Sequence, residues 1–193
     1  NEIASYVQEY VEGSKPGASM FDKYRPAGAP PKAAGHGELK DWYGKPLPFK
    51  VMHIAEFLAE QVRAGKLRLR KVGKTATFHD PCQLVRRGGA IEAPREVLQA
   101  LGVELREMYP TKGANWCCGG GGGVVAIHRA DELRHKVFKI KMEQIEETGA
   151  ELPVTSCANC RQTFDDGRAH FKWDKTMHSL LELVADNLVE DDR

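Results

Sequence analysis

Apolar positions recur along the chain from Val51 onward with two alternating periods, and the elements they predict set the fold. Val51, Ile54, Ala55, Leu58, Ala59 and Val62 fall on one face of a helix that Gly65 closes. Residues 66–74 alternate Leu67 and Leu69 with Arg68 and Arg70, the pattern of an exposed hairpin-like edge, before Thr75, Ala76, Thr77 and Phe78 lead as a strand toward Cys82. Pro94 suits the first turn of a helix through Ala100; Gly102 ends it and residues 103–108 read as the next strand. A long helical pattern covers 124–148, with Val125, Leu133, Val137, Ile140, Met142 and Ile145 as its apolar candidates and Gly149 as its end. A short strand over 152–155 then delivers Cys157, a helix starts between Cys157 and Cys160 and runs toward Gly167, and a last helix spans 179–188. Strand and helix in alternation predict an α/β domain with a mainly parallel sheet and flanking helices.

The first quarter of the chain reads differently. Ile3, Tyr6, Val7, Tyr10 and Val11 give a short amphipathic helix, and residues 14–48 carry six prolines (Pro16, Pro26, Pro30, Pro31, Pro46, Pro48) among glycines and alanines. That composition supplies no core of its own, so an extended N-terminal arm is expected, pinned by Phe21, Tyr24, Trp42, Tyr43 and Phe49. The predicted division is 1–49 for helix and arm and 50–193 for the cysteine-bearing domain.

Composition narrows the function. With 193 residues, 41% hydrophobic and 28% charged, the chain is long enough for one domain with a real core. A formal net charge of +1 argues against nucleic acid or an acidic membrane surface as a partner, and no run of about 18 apolar residues predicts a membrane span. The basic run of Arg63, Lys66, Arg68, Arg70, Lys71 and Lys74, joined by Arg86 and Arg87, reads as a solvated edge, with docking of an acidic redox partner as the alternative. The chain begins at Asn1 rather than methionine, as an excised piece of a longer protein would.

All five cysteines form one constellation: Cys82, the adjacent pair Cys117 and Cys118 followed by Gly119 to Gly123, and the CxxC of Cys157 and Cys160. Adjacent cysteines do not readily close a disulfide and five is an odd number, so a ligand set for a metal or cluster is the natural reading, in a reducing, cytoplasmic compartment. Cys82, Cys117, Cys118 and Cys157 each follow a predicted strand, which should gather the thiols at the carboxyl end of the sheet, where open α/β sheets bind ligands. Gly119, Gly120 and Gly121 let backbone N–H groups, together with those at the start of the following helix, approach the sulfurs of an anionic group. The CxxC by itself fits a dithiol redox centre, a zinc half-site or a pair of cluster ligands equally well.

The spacing Cys82, 34 residues, Cys117-Cys118-Gly119, 37 residues, Cys157-x-x-Cys160 resembles the CCG-type cysteine-rich domain. That domain occurs in the B and D subunits of heterodisulfide reductase and in related iron–sulfur subunits of glycolate oxidase, lactate utilisation, glycerol-3-phosphate dehydrogenase and sulfate-reducer membrane complexes. The resemblance covers about residues 50–190. It implies that Cys82, Cys117, Cys118, Cys157 and Cys160 ligate a noncubane [4Fe-4S] cluster, with zinc as the alternative. It further implies a small thiol or disulfide substrate and electrons from an iron–sulfur, haem or quinone-linked subunit at the cytoplasmic face of a membrane complex. The chain departs from the pattern in carrying one such motif rather than two and no upstream CxxCxxCxxxC module.

Other residues have two readings each. His79 is either a proton donor or hydrogen-bond partner at the site, and so its catalytic candidate, or a structural strand-end histidine. Asp80 and Pro81 shape the turn, Trp116 shields the site or packs, and His128 and His135 belong to a solvated or packed helix face.

Overall fold

The computed structural model describes residues 45, 48 and 51–189; the helix and arm expected over 1–49 lie outside them apart from Lys45 and Pro48. Among the described residues five helices, α1 (Ile54–Arg63), α2 (Glu92–Ala100), α3 (Asp131–Glu147), α4 (Ala158–Phe171) and α5 (Leu180–Asp186), pack around four strands, β1 (Thr75–His79), β2 (Glu104–Leu105), β3 (Leu152–Thr155) and β4 (His178–Ser179). The strands form one parallel sheet in the order β2-β1-β3-β4, as the alternation predicts. Ala76 pairs with Leu152 and His79 with Thr155, so the central strands end level with each other.

Side chains of β1 alternate between two cores. Ala76 and Phe78 pack with Leu58, Val97, Leu98, Leu101, Val154 and Leu180 on the side of α1, α2 and α5. On the opposite face His79 meets Phe164 of α4, at 5.3 Å between ring centroids. The core there contains Met108, Phe138, Ile145, Phe164 and Met177 together with Cys118 and Cys160. Both central strands are covered on both sides, as a parallel sheet requires.

Several boundaries differ from expectation, each for a local reason. Residues 66–74 do not fold on themselves: Leu69 bridges to Leu188, and Arg70 N donates to Asn187 O, so the C-terminal segment satisfies this backbone. The strand expected over 103–108 is regular only at Glu104 and Leu105, beyond which the chain leaves the sheet edge toward Cys117. The long helix starts at Asp131 rather than at 124, because Gly122 and Gly123 adopt φ of 66° and 81° in the tight turns of Gly121–Ala126. Asp131 and Glu132 then favour the first turn of α3 through its dipole.

Gly167 lies inside α4 and does not end it; a Cβ there would stand 2.2 Å from the ring of Phe138, so the glycine is what lets α4 approach α3. Val51 precedes α1 and is exposed, as is Ile54 at its start, whereas Ala55, Leu58 and Ala59 carry the packing. His53 accepts from Ala55 N at 3.1 Å and its own N–H donates to Glu56, which caps the helix reciprocally.

The largest correction concerns α3. Leu133 and Ile140, expected in the core, are 62% and 40% exposed, and the buried face is Arg134, Phe138, Lys141 and Ile145. Among the described residues no helix is long and apolar enough to cross a membrane.

Candidate metal centre

The thiols converge where the parallel strands end. Three residues past β1, Cys82 opens a short π-helical turn (Gln83–Arg87); Cys157 directly precedes α4, and Cys160 lies in its first turn. Cys117 and Cys118 arrive on the long loop after β2. All five are free thiols, Cys118 and Cys160 buried, Cys82 and Cys157 half-buried and Cys117 exposed. Cys118 is the hub: its sulfur is in hydrogen-bond contact with Cys117, Cys160 and His79, and Cys160 in turn contacts Cys157. Cys82 shares the pocket with Cys117, Cys118 and Cys160. Ligand atoms of His79, Cys118 and Cys160 lie within 4.8 Å of one another.

This crowding sorts the protons. Hydrogen bonds from Cys117 and Cys160, against the effect of burial, hold Cys118 far below the ordinary thiol range. The hydrogen bonds shared with Cys118 push the thiols of both Cys117 and Cys160 up, and burial adds to this. Cys157 falls to about 6, because Cys160 donates to it and, despite burial, so do the backbone N–H groups of Cys160 and Asn159 in the first turn of α4. The shifts at Cys118 and Cys157 both favour the thiolate, which suits a soft thiolate ligand set.

The glycine run is not uniform. Gly119 has φ of 96°, and its N–H donates to Cys117 Sγ at 3.3 Å. At Gly120 a Cβ would lie 1.9 Å from Thr163 Oγ1, and its carbonyl accepts from Asn159 Nδ2 at 3.0 Å, so an inner residue of the CxxC fastens the CCG loop onto α4. Gly121 has nothing within 4 Å of such a Cβ. Gly120→Ala is accordingly expected to destabilise the fold by about 1–3 kcal/mol, and Gly121→Ala to stay within about 0.5 kcal/mol of wild type. Denaturant unfolding with an unchanged m-value checks both.

Behind the sulfurs lies a buried polar layer that the sequence did not disclose. Asp80 is no mere turn residue: both its oxygens accept from Arg95, each at 2.9 Å, and Oδ2 accepts from Lys112 N at 2.8 Å. Asn115, 5% exposed, donates to Asp80 O at 2.6 Å and stands 3.5 Å from His79 Nδ1. Its Oδ1 accepts from Lys141 Nζ at 2.7 Å, and Arg86 donates to its carbonyl and to that of Gly113. Of the other candidate residues, His79 is 1% exposed against Cys118, and Trp116 is 40% exposed at the pocket mouth. His128 is fully exposed, away from the sulfurs; His135 pairs with Asp166 at 2.8 Å and stacks on His170.

Residues 76–165 match the family model of the CCG cysteine-rich domain. Over this stretch the chain is similar to a CCG domain. Its curated relatives include one component, designated D, of the dihydromethanophenazine:CoB–CoM heterodisulfide reductase of Methanosarcina barkeri, 39% identical over 153 residues, which are 77% of this chain and 37% of that protein. The Hdr-like menaquinol oxidoreductase iron–sulfur subunit 2 of Archaeoglobus fulgidus is 30% identical over 147 residues (72% and 26% of the two chains). The EtfAB:quinone oxidoreductase of Syntrophomonas wolfei is 34% identical over 125 residues (62% and 18%). The chain thus spans little more than a third of the first of these, and the matched region brackets all five CCG-domain cysteines.

Proposed function

We propose that Cys82, Cys117, Cys118, Cys157 and Cys160 hold a [4Fe-4S] cluster of the noncubane kind, and that the chain is the redox domain of a larger respiratory complex acting on a thiol or disulfide substrate. One observation carries this reading: five free thiols from three separate segments meet in a single contact network at the carboxyl end of the sheet. Four-ligand sites, whether tetrahedral zinc or an ordinary cubane, leave one of these sulfurs without a task. Relatives named as heterodisulfide reductase and iron–sulfur oxidoreductase subunits support the same chemistry.

When bound, such a cluster takes up and returns electrons singly. The chain's own residues do the rest. Cys118 and Cys160 anchor the buried side, and Cys82 and Cys117 line the open side facing a substrate. Gly119 N–H donates to Cys117 and removes electron density from its sulfur. His79 sits within hydrogen-bond reach of Cys118, where it holds a proton beside the sulfurs. Trp116 covers part of the mouth and limits water. Electrons come from an iron–sulfur, haem or quinone-linked partner on the cytoplasmic side of the membrane.

The test is iron, acid-labile sulfide and zinc content of anaerobically prepared protein, with an EPR spectrum of the oxidised sample. About four irons per chain with matching sulfide and a thiol-sensitive paramagnetic signal are expected. A second reading has its own support: the ring of His79 and the sulfurs of Cys118 and Cys160 are close enough to share a single ion, as in a zinc-stabilised, non-catalytic interaction domain. One zinc and no sulfide after anaerobic reconstitution would establish that reading and end the redox one.

A further inference from the structure

One charged group beside the sulfurs is left unexplained by ligation. Lys141, in the middle of α3, is 0% exposed. Its ammonium donates to Asn115 Oδ1 at 2.7 Å and to Met108 Sδ at 3.8 Å, and neither partner carries charge. Among the described residues no carboxylate forms an ion pair with it. A buried ammonium in that state is a liability to a fold unless an anion faces it. The negative charges that act on Lys141 are those of Asp80, whose oxygens Arg95 already holds, and of the Cys118 sulfur, against the like charge of Arg86. Burial lowers its pKa to about 8, so the group is charged at neutral pH. Asn115 continues the line, from Lys141 to within 3.5 Å of His79 Nδ1, and His79 touches Cys118.

We propose that Lys141 is the built-in countercharge for the anionic group the thiols hold: a positioning residue that, with Asn115, keeps positive charge behind the sulfurs and makes added negative charge there less unfavourable. This deepens the iron–sulfur reading and rests on it. In a site of low dielectric a fixed cation favours the more reduced, more negative state, and neutralising it lowers the reduction potential.

Lys141→Gln removes the charge and keeps a donor; Lys141→Arg keeps the charge. In redox titrations of the loaded protein followed by EPR, Lys141→Gln is expected to weaken reduction about tenfold, about 59 mV for a one-electron step, and Lys141→Arg to stay near wild type. Full iron and an unchanged potential in Lys141→Gln would overturn the proposal. The second measurement is thermal unfolding of the metal-stripped proteins. Without the added negative charge of a bound cluster, Lys141→Gln should unfold at no lower temperature than wild type, and a lower Tm would mark a merely structural lysine and overturn the proposal too. If Lys141→Gln fails to retain iron while its stripped Tm is unchanged, that supports the countercharge role. Wild type that takes up no iron or sulfide sinks the iron–sulfur reading instead, and the Tm comparison then decides Lys141 by itself.

Discussion

Cys118→Ala is expected to bring bound iron from about four per chain to below about one, with loss of the EPR signal. Cys118 is the one sulfur that touches two others and His79. It is buried in the core beneath the site, so no solvent-borne ligand can replace it without opening that core. Its removal also takes away the acceptor that the thiols of Cys117 and Cys160 share, and separates the exposed half of the set from the half on α4. The fold itself should lose little, since a sulfur-sized cavity costs about 1–2 kcal/mol. Unfolding of the metal-stripped variant separates that small loss from the large loss of metal. A dithiol mechanism confined to Cys157 and Cys160 makes the opposite prediction: Cys118→Ala would keep its redox activity. Retention of iron and sulfide at wild-type levels in Cys118→Ala would refute the five-thiol site.

The convergence of these thiols was legible in the sequence because it follows from topology. Parallel strands joined by helices all end on the same edge, so cysteines placed just after predicted strands must meet there whatever the details of each helix. The cysteine loops themselves were legible in type but not in shape. Nothing in a run of five glycines says that Gly119 needs a positive φ, that Gly120 presses on Thr163 and that Gly121 is open; those differences come from elements further along the chain, α3 with Arg134 and Val137 against Gly119 and α4 with Thr163 against Gly120.

The polar layer behind the site was hidden for a stronger reason. Hydrophobic periodicity assigns the buried face of a helix by its apolar residues, and α3 buries Arg134 and Lys141 while exposing Leu133 and Ile140. The signal was present: 134, 138, 141 and 145 are spaced four, three and four apart, the stripe of a single face, once basic residues are admitted to it. They are admitted because this face covers loops rather than only a sheet. Arg134 bonds Asp166 and the carbonyl of Val124 after the glycine run, and Lys141 bonds Asn115 before it. Such partners exist only once the chain has folded.

Arg95→Met is expected to cost about 3–5 kcal/mol of stability, a drop in Tm of about 10 °C for a chain of this size. Arg95 donates to both oxygens of Asp80, to both of Glu107 and to Ile91 O, and its guanidinium lies 5.7 Å from the ring centroid of Phe78. The Asp80 side chain is 1% exposed, so the variant leaves a buried carboxylate with only Lys112 N and Thr111 as hydrogen-bond partners of its side chain and no cation bonded to it. The consequence reaches the thiols, because Asp80 stands two residues before Cys82 and fastens the loop that leads to Cys117. Iron retention should therefore fall with stability. Partial recovery in Asp80→Asn, Arg95→Met would show that the stranded charge, rather than lost packing, is the cause. The pH dependence follows from Glu107. Burial would raise its carboxyl, but the hydrogen bond and charge of Arg95, together with Thr111 and Lys112, outweigh that and hold it below its ordinary value of 4.5. A depressed folded value contributes stability that is fully present above 4.5 and is lost as the pH falls through the folded pKa. Arg95→Met lacks this contribution at every pH, so its deficit in Tm should narrow in acid below about 4.5. A deficit that stays constant down to pH about 3 would mean that Arg95 acts through packing on Phe78 and not through the two carboxylates.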